Sequence, residues 1–309
     1  MKPIAKPALE DPQTIRLLPR WVTLARDETP DTVAFASGAA LATLDIVLRD
    51  PAATLPVTLL RDRMALRAAV ACLKLEGRTE NAADIRDAIC LARPGDALGP
   101  AGEKFLAWRK LALINPISSG GKDRVGKLLP EQVAEVMPEF EGAIGSPVAQ
   151  AAHVLVAVLE KFPRQEAAAL MLGDVTLARA LGWNYVLPLL ATHLKRADIR
   201  AIANDPLPLV HRAVIGACDT AIRNGADLSH RAAKLNAIAP KLRAKGAGSA
   251  VELFLSHDAV SPSGMLSPTI KGTSVAMTDR AARRLCDRLV ELGVVRELTG
   301  RATFRLYGI

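Results

Sequence analysis

Aromatic residues are scarce in this chain, 4% of 309 positions, and its four cysteines, at 72, 90, 218 and 286, form no C-x-x-C pair. Thiols so widely scattered do not make a disulfide framework, and reduced, mostly buried cysteines in the cytoplasm are expected. Long apolar runs are missing too. No stretch of about 18 uncharged apolar residues occurs, so no membrane-spanning helix is expected. The best run, 147–159, is 13 residues long and contains Gln150 and His153. The opening MKPIAKPALEDPQ lacks the apolar core of a signal peptide. What is present is a chain 50% hydrophobic and 23% charged, which excludes disorder. Its length suffices to bury roughly three quarters of the unfolded surface, and lies near the size at which one core splits into two.

The formal charge is +8 and unevenly spread. Residues 241–309 hold 11 Lys/Arg against 6 Asp/Glu, whereas residues 1–240 hold 29 against 26. More than half of the excess positive charge therefore sits in less than a quarter of the chain. That asymmetry points to a polyanion contact near the carboxyl end, against the plainer reading of a solvated basic surface.

From 31 to 240 the texture is rich in alanine and leucine, with helical rather than alternating periodicity. The pattern predicts helices over 33–49, 64–75, 82–92, 103–113, 148–162, 166–181 and 187–202, with 207–223 and 228–238 completing the set. Asp31 and Thr32 are candidate caps for the first, and Gly77 and Gly182 fall just past helix ends. PGDALGP (94–100) and NPISSGGKDRVG (115–126) read as loops. KLRAKGAGS (241–249) changes composition abruptly and marks an expected boundary between a helical domain, 1–240, and a smaller one, 241–309. Beyond it come a helix over 250–257, a Pro/Gly/Ser-rich stretch over 258–277, a basic helix and two short strands.

Motifs that carry chemistry are few. The run from Gly121 through Gly126-Lys127-Leu128 misses a phosphate-binding loop at the hydroxyl residue that would hold magnesium. It also follows a helix rather than a strand, so a basic surface loop is the better reading. His153, His193, His211, His230 and His257 show no metal-ligand spacing. His153, inside an apolar stripe, reads as a core histidine, and His193 with Lys195, Arg196 and Asp198 as a polar helix face. Asp84, Asp87, Asp219 and Asp227 are carboxylates that folding could bring together. No catalytic, metal or cofactor motif emerges, and an enzyme would have to hide its site in the helical domain.

The carboxyl end is more specific. Thr278 is a candidate cap for a helix running to Leu292. At 100° per residue from Arg280, the residues Arg283, Arg284, Asp287, Arg288 and Glu291 fall between about −60° and +80°. Ala281, Ala282, Leu285, Cys286, Leu289, Val290 and Leu292 fill the other arc, so the helix docks by one face and carries arginines on the other. An i,i+4 pair between Arg283 and Asp287 is the bland alternative. Gly293 ends the helix. Strands over 294–298 and 302–307 then flank Thr299-Gly300; a two-residue loop there would set Val295 opposite Phe304. A helix followed by a hairpin is the second half of a winged helix-turn-helix. Arg280, Arg283, Arg284 and Arg288 would then meet duplex DNA from the helix, and Arg296, Arg301 and Arg305 from the wing.

The run RAARRLCDRLVELGVVRELTGRATFRLYGI resembles the small winged-helix segment that closes many Fic-family proteins, while the Fic catalytic motif HPFxxGNGR is absent. Over nearly its whole length the chain resembles a bacterial family, domain of unknown function 1403, through RDAICLARPGDALGPAGEKFLAWRKLA (86–112), LGWNYVLPLLA (181–191) and KLRAKGAG (241–248). That resemblance implies no activity and no site residues. The expectation is a mainly α protein: a multi-helical domain, then a winged helix-turn-helix with one β-hairpin, contacting duplex DNA without catalysis. The alternatives are an adaptor whose winged helix meets a protein, with a homo-oligomer or partner at the helical domain, and an enzyme with an unrecognised site.

Overall fold

The computed structural model describes residues 15–25, 29–51, 54–93, 95–137, 142 and 144–309. The amino-terminal 14 residues and Pro94 of the first expected loop lie outside that set. The protein is mainly helical, and the described strands form one two-stranded antiparallel sheet. The helices are α1 (Arg20–Leu24), α2 (Pro30–Arg49), α3 (Val57–Leu75), α4 (Ala82–Cys90), α5 (Gly99–Leu113), α6 (Gly121–Gly126) and α7 (Glu131–Val136). Then follow α8 (Pro147–Lys161), α9 (Glu166–Ala180), α10 (Leu190–His193), α11 (Arg196–Ala201), α12 (Pro206–Ile238), α13 (Ala247–Ser256) and α14 (Asp279–Glu291). The strands are β1 (Arg296–Glu297) and β2 (Tyr307–Gly308).

The 33-residue α12 is the spine: it packs along α2 and touches α8, α10 and α3, while α8 and α9 form a tight pair and α3 packs on α5. The core is aliphatic, with Leu44, Leu59, Leu60, Met64, Leu155 and Ile222 fully buried and, among the described residues, Trp108 and Phe254 as its fully buried aromatics. Two expected helices fuse into α12 because Gly225 lies against Leu55 and Ile15, where packing outweighs the low helix propensity of Asn224-Gly225. Conversely, the helix expected over 187–202 is broken. Asp174, buried in α9, accepts the N–H groups of Leu189 and Leu190, which starts α10, and Asp198 accepts the Lys195 N–H, which starts α11. Part of the expected 115–126 loop is helical. Gly121 opens α6 because a Cβ there would stand 2.5 Å from the Asn115 carbonyl, so this glycine answers to packing rather than to a phosphate.

Of the described helices, α2 is long and apolar enough to cross a membrane by composition alone. Averaged hydropathy passes it although Asp45 interrupts the run. That carboxylate receives the Trp183 indole N–H and Arg49, while Val33, Ala36, Ala40 and Leu44 are buried in the core. Helix ends at Gly77, Gly182 and Gly293 all take positive φ. Each closes with paired reverse bonds, such as Gly293 N–H to Val290 and Val294 N–H to Leu289.

The segment after α12 passes through a single turn, Ala239–Lys241, and α13 begins after Gly246 at φ +83°. A π-helical turn, Pro262–Leu266, stands where the Pro/Gly/Ser-rich stretch offered only a short turn. Thr278 caps α14, accepting the Ala281 N–H, as its place in the sequence predicts. Buried Val251, Phe254, Leu266, Leu285 and Leu289 join the same hydrophobic cluster as α3 and α12.

The hairpin departs from expectation. Arg296 pairs with Gly308 and Glu297 with Tyr307, so the connection runs over 298–306 and Val295 does not face Phe304. Gly300 does sit at φ +62°, but Phe304 is 72% exposed at φ +53°. The reason is tertiary: Arg301 reaches Asp87 on α4 with both terminal nitrogens at 2.7 Å, which holds the loop open against the body. Tyr307 also exchanges two backbone bonds with Val260, at 2.8 and 2.9 Å.

Gly308 packs so closely that an added Cβ would lie 2.6 Å from the Asp258 carbonyl, whereas open space surrounds Gly300. Gly308→Ala is therefore expected to cost about 1–3 kcal/mol through backbone displacement, and Gly300→Ala about 1 kcal/mol through φ alone. Urea unfolding of the two variants tests this order; equal losses would mean β2 is not seated against Asp258.

Burial pushes the Asp174 carboxyl up to about 7, and its Oδ2 has no hydrogen-bond partner. A carboxyl raised in the folded state contributes stability at low pH that is lost as pH rises from about 4 to 7. Asp174→Asn, which keeps the acceptor for Leu189 and Leu190, is expected to gain on the wild type across that window and run parallel above it. Melting midpoints against pH measure the difference; parallel curves from pH 4 to 7 would show that Asp174 stays charged.

Candidate functional site

The arginines singled out in the sequence separate into three groups. Arg280, Arg283, Arg284 and Arg288 are all exposed on α14, opposite buried Ala282, Leu285, Cys286 and Leu289. Val290, placed on the apolar arc by its angle, is 39% exposed. Arg283 pairs with Asp279 rather than Asp287, and Arg288 with Glu291, both as exposed contacts that contribute little. Arg280 and Arg284 form no ion pair among the described residues. With Arg243, Arg288 and the wall of Leu242 and Leu285 they line a cleft of about 340 Å³ whose lining includes no carboxylate.

The wing arginines lie elsewhere. Arg301 is tied to Asp87 and to the Phe304 carbonyl. Arg305 lies 3.7 Å from Glu297 and donates to the Arg301 carbonyl. Arg296 turns toward α3 and enters a second, larger cavity.

That cavity, about 830 Å³, is one the sequence reading missed. Its cations come from scattered stretches: Arg63, Arg67 and Lys74 one helical turn or two apart on α3, Arg86 on α4, Lys195 and Arg196 at the start of α11, and Arg296 on β1. Among the described residues that line it, a single carboxylate, Asp258, faces them. Only Arg67 and Lys74 on the helix predicted over 64–75, with Arg63 just before it, could have hinted at it. Leu66, Val70, Leu194 and Leu298 supply apolar wall, and Asn224 of α12 lines it with a buried Nδ2 that has no partner. His193 sits at its edge between the Thr192 and Thr220 hydroxyls, at 2.9 and 3.2 Å. A Cβ on Gly216 would come within 2.6 Å of its ring.

Asp258 belongs to a buried ionic chain beneath the cavity floor. Its carboxylate receives Arg63 at 3.1 Å and Arg86 at 2.6 Å, and its own N–H goes to Asp62 Oδ2 at 2.9 Å. Asp62 in turn meets Arg109 at 2.6 Å, and Arg63 also donates to the Ile309 carbonyl. Burial pushes Asp62 upward against the pull of Arg109, and pushes Arg63 downward against the pull of Asp258. A third cavity of about 310 Å³ opens on the far side, beside Arg109, Lys271 and His257. Burial first, and those two cations next, push His257 down to about 4. The cysteine there, Cys90, is no nucleophile at ordinary pH, because burial pushes its thiol up to about 11.

The remaining sequence candidates do not converge. Asp84 caps α4 with Asn81, Asp87 holds Arg301, and Asp219 and Asp227 pair with Arg223 and Arg231 one turn away. His153 is exposed rather than in the core, on the outer side of α8 whose stripe Val148, Ala152 and Leu155 is buried. His211 bonds Ser37 at 2.5 Å. The four cysteines are free, and among the described residues no cluster of three metal-ligating side chains occurs.

These features define a helical protein whose conspicuous surfaces are an arginine cleft and a cationic cavity joined by one carboxyl-terminal segment. The chain belongs to the family described as protein of unknown function (DUF1403), which matches residues 6–309. A comparison with curated proteins found no match.

The two kinds of ion pair predict different losses. Asp258→Ala leaves the half-buried Arg63 and Arg86 without their shared counter-charge and is expected to cost up to about 3–5 kcal/mol. Asp87→Ala opens a pair whose side chains are each 35% exposed and should cost far less. Denaturant midpoints of both variants decide; a mild Asp258→Ala would mean that water reaches the chain of charges.

Proposed function

We propose that the protein binds duplex DNA through the exposed face of α14 and acts as a non-catalytic DNA-binding or regulatory protein. The observation that carries this reading is the cleft shared by Arg243, Arg280, Arg284 and Arg288, whose lining has no carboxylate. Four guanidinium groups on one rim suit phosphate oxygens and guanine edges. The order of elements supports a winged-helix reading of the segment: α13, the Val260 bridge, the 262–266 turn, α14, β1 and β2, with Tyr307 pairing both Val260 and Glu297. In that arrangement α14 is the helix that enters the major groove. Arg301 and Arg305 are engaged with carboxylates, so on this reading the contact rests on the helix and Arg243 more than on the wing.

A protein contact is favoured at a separate place. Trp21 and Phe35 stack at 5.7 Å between centroids, 53% and 71% exposed, with Leu24 and Ile46 also exposed on α1 and α2. Such a patch is the kind that partners cover. For an enzyme the small cavity at His257 and Cys90 combines a pocket with displaced pKa values, and burial, with the neighbouring charges second, accounts for them.

With four or five phosphate contacts, the slope of log affinity against log salt is expected near −4. Arg280→Ala with Arg284→Ala should weaken binding about tenfold or more, and Arg301→Ala should leave it unchanged. Gel-shift titrations at two salt concentrations measure all three. No complex at about 50 mM salt, or equal affinity of wild type and double variant, removes α14 as the DNA contact.

A further inference from the structure

We propose that the 830 Å³ cavity between α3, α11 and β1 binds a phosphorylated small molecule, one carrying at least two phosphate charges and an apolar body. The inference does not rest on the DNA reading. It begins from an imbalance: Arg63, Arg67, Lys74 and Arg296 share this space with Arg86 and the α11 cations, and the only carboxylate facing them, Asp258, already receives two guanidinium groups. Arg67, Lys74, Lys195 and Arg296 have no ion-pair partner among the described residues. Like charges crowded into a partly enclosed space repel, the more so where water is displaced, and a multiply charged anion relieves that repulsion.

The side-chain chemistry narrows the class. Arginine and lysine are donors only, and the buried Asn224 Nδ2 adds another donor without an acceptor. A ligand made of acceptor oxygens answers all of them, whereas a metal ion is repelled. Guanidinium forks match phosphate oxygens two at a time, and lysine adds compact charge. Leu66, Val70, Leu194 and Leu298 form a wall with no use for phosphate, which calls for an apolar or planar portion. The volume lies within the usual range for small-molecule sites, roughly 300–1,000 Å³. Duplex DNA fits poorly: the Arg63 and Arg86 side chains are 14% and 24% exposed, deeper than the phosphates of a stiff duplex reach. Because Arg296 and Leu298 line the space, the ligand would touch the carboxyl-terminal segment and the helical body at once.

The test uses the full chain in phosphate-free, low-salt buffer, with inorganic pyrophosphate, ADP and adenosine as probes read by calorimetry and by melting midpoint. Pyrophosphate and ADP are expected to bind and raise the midpoint, ADP about tenfold tighter, and adenosine to do neither. Arg67→Ala with Lys74→Ala alters two exposed, unpaired side chains. It should melt like the wild type without ligand and bind both phosphates at least about tenfold more weakly. Arg280→Ala with Arg284→Ala should keep full pyrophosphate binding, and Arg67→Ala with Lys74→Ala full DNA binding, so the two readings fail separately. Four outcomes overturn the proposal: no shift at about 10 mM pyrophosphate, far weaker than millimolar affinities imply; equal affinity in the cavity variant; adenosine binding as well as ADP; or DNA binding lost with the cavity variant. ADP binding no tighter than pyrophosphate removes the apolar body from it.

Discussion

The carboxylate of Asp258 is the point on which the carboxyl-terminal segment is hung. It is buried between Arg63 of α3 and Arg86 of α4, and its backbone N–H reaches Asp62, whose own charge meets Arg109 of α5. Charges taken out of water are costly, and a buried pair is weak evidence of net stability. Its strength lies in what it forbids. Any register that moved Asp258 away would leave two guanidinium groups stranded, which costs far more than the pair contributes. Two residues on, Val260 bonds Tyr307, and Gly308 lies so close to the Asp258 carbonyl that only glycine fits without a shift. One carboxylate thus sets the depth and register of β2, and through it β1 and the end of α14.

That constraint also decides which arginines remain available. Arg63 and Arg86 are partly spent on Asp258, yet their positions bring them to a space that four unpaired cations share. A fold that needed the cations only for structure would match them with acids, as α12 does with Asp219–Arg223 and Asp227–Arg231. In the cavity and the α14 cleft most cations lack that matching, Arg288, Arg63 and Arg86 excepted. An excess of donors beside scarce acceptors is what the two proposed anion sites have in common, and it is why each is tested by removing unpaired cations rather than those in the buried chain.

Helices were legible in the sequence where the apolar stripe and its punctuation agreed. Thr278, Gly293 and the stripe of Leu285 and Leu289 define α14 to within a residue. Legibility failed where a distant residue intervened. Nothing near 187–202 announces that Asp174, on another helix, will claim the Leu189 and Leu190 N–H groups and break the pattern there. Nothing near 299–300 announces that Asp87 will hold Arg301 and open a two-residue turn into a long loop. The outward face of α14 followed from angles alone, because helical period is local. The larger cavity could not, since its cations come from α3, α4, α11 and β1 and share no motif.

The charge asymmetry shows the same limit from the other side. Residues 241–309 carry a net +5, which reads as a footprint for a polyanion. In the folded chain that excess is divided. Arg301 and Arg305 face carboxylates and fasten the loop, Arg283 and Arg288 meet acids on their own helix, and the exposed Arg296 lines a cavity that is mostly the work of other segments. Of what remains for an outside partner, Arg243, Arg280 and Arg284 share one cleft, while Lys241, Lys245 and Lys271 are exposed outside it. Net charge measures how many cations a segment owns, whereas recognition depends on how many are left unmatched and point the same way. By that measure a segment only modestly basic can present a concentrated anion site, and the nearly balanced 1–240 can supply most of a second one, through Arg63, Arg67, Lys74, Arg86, Lys195 and Arg196.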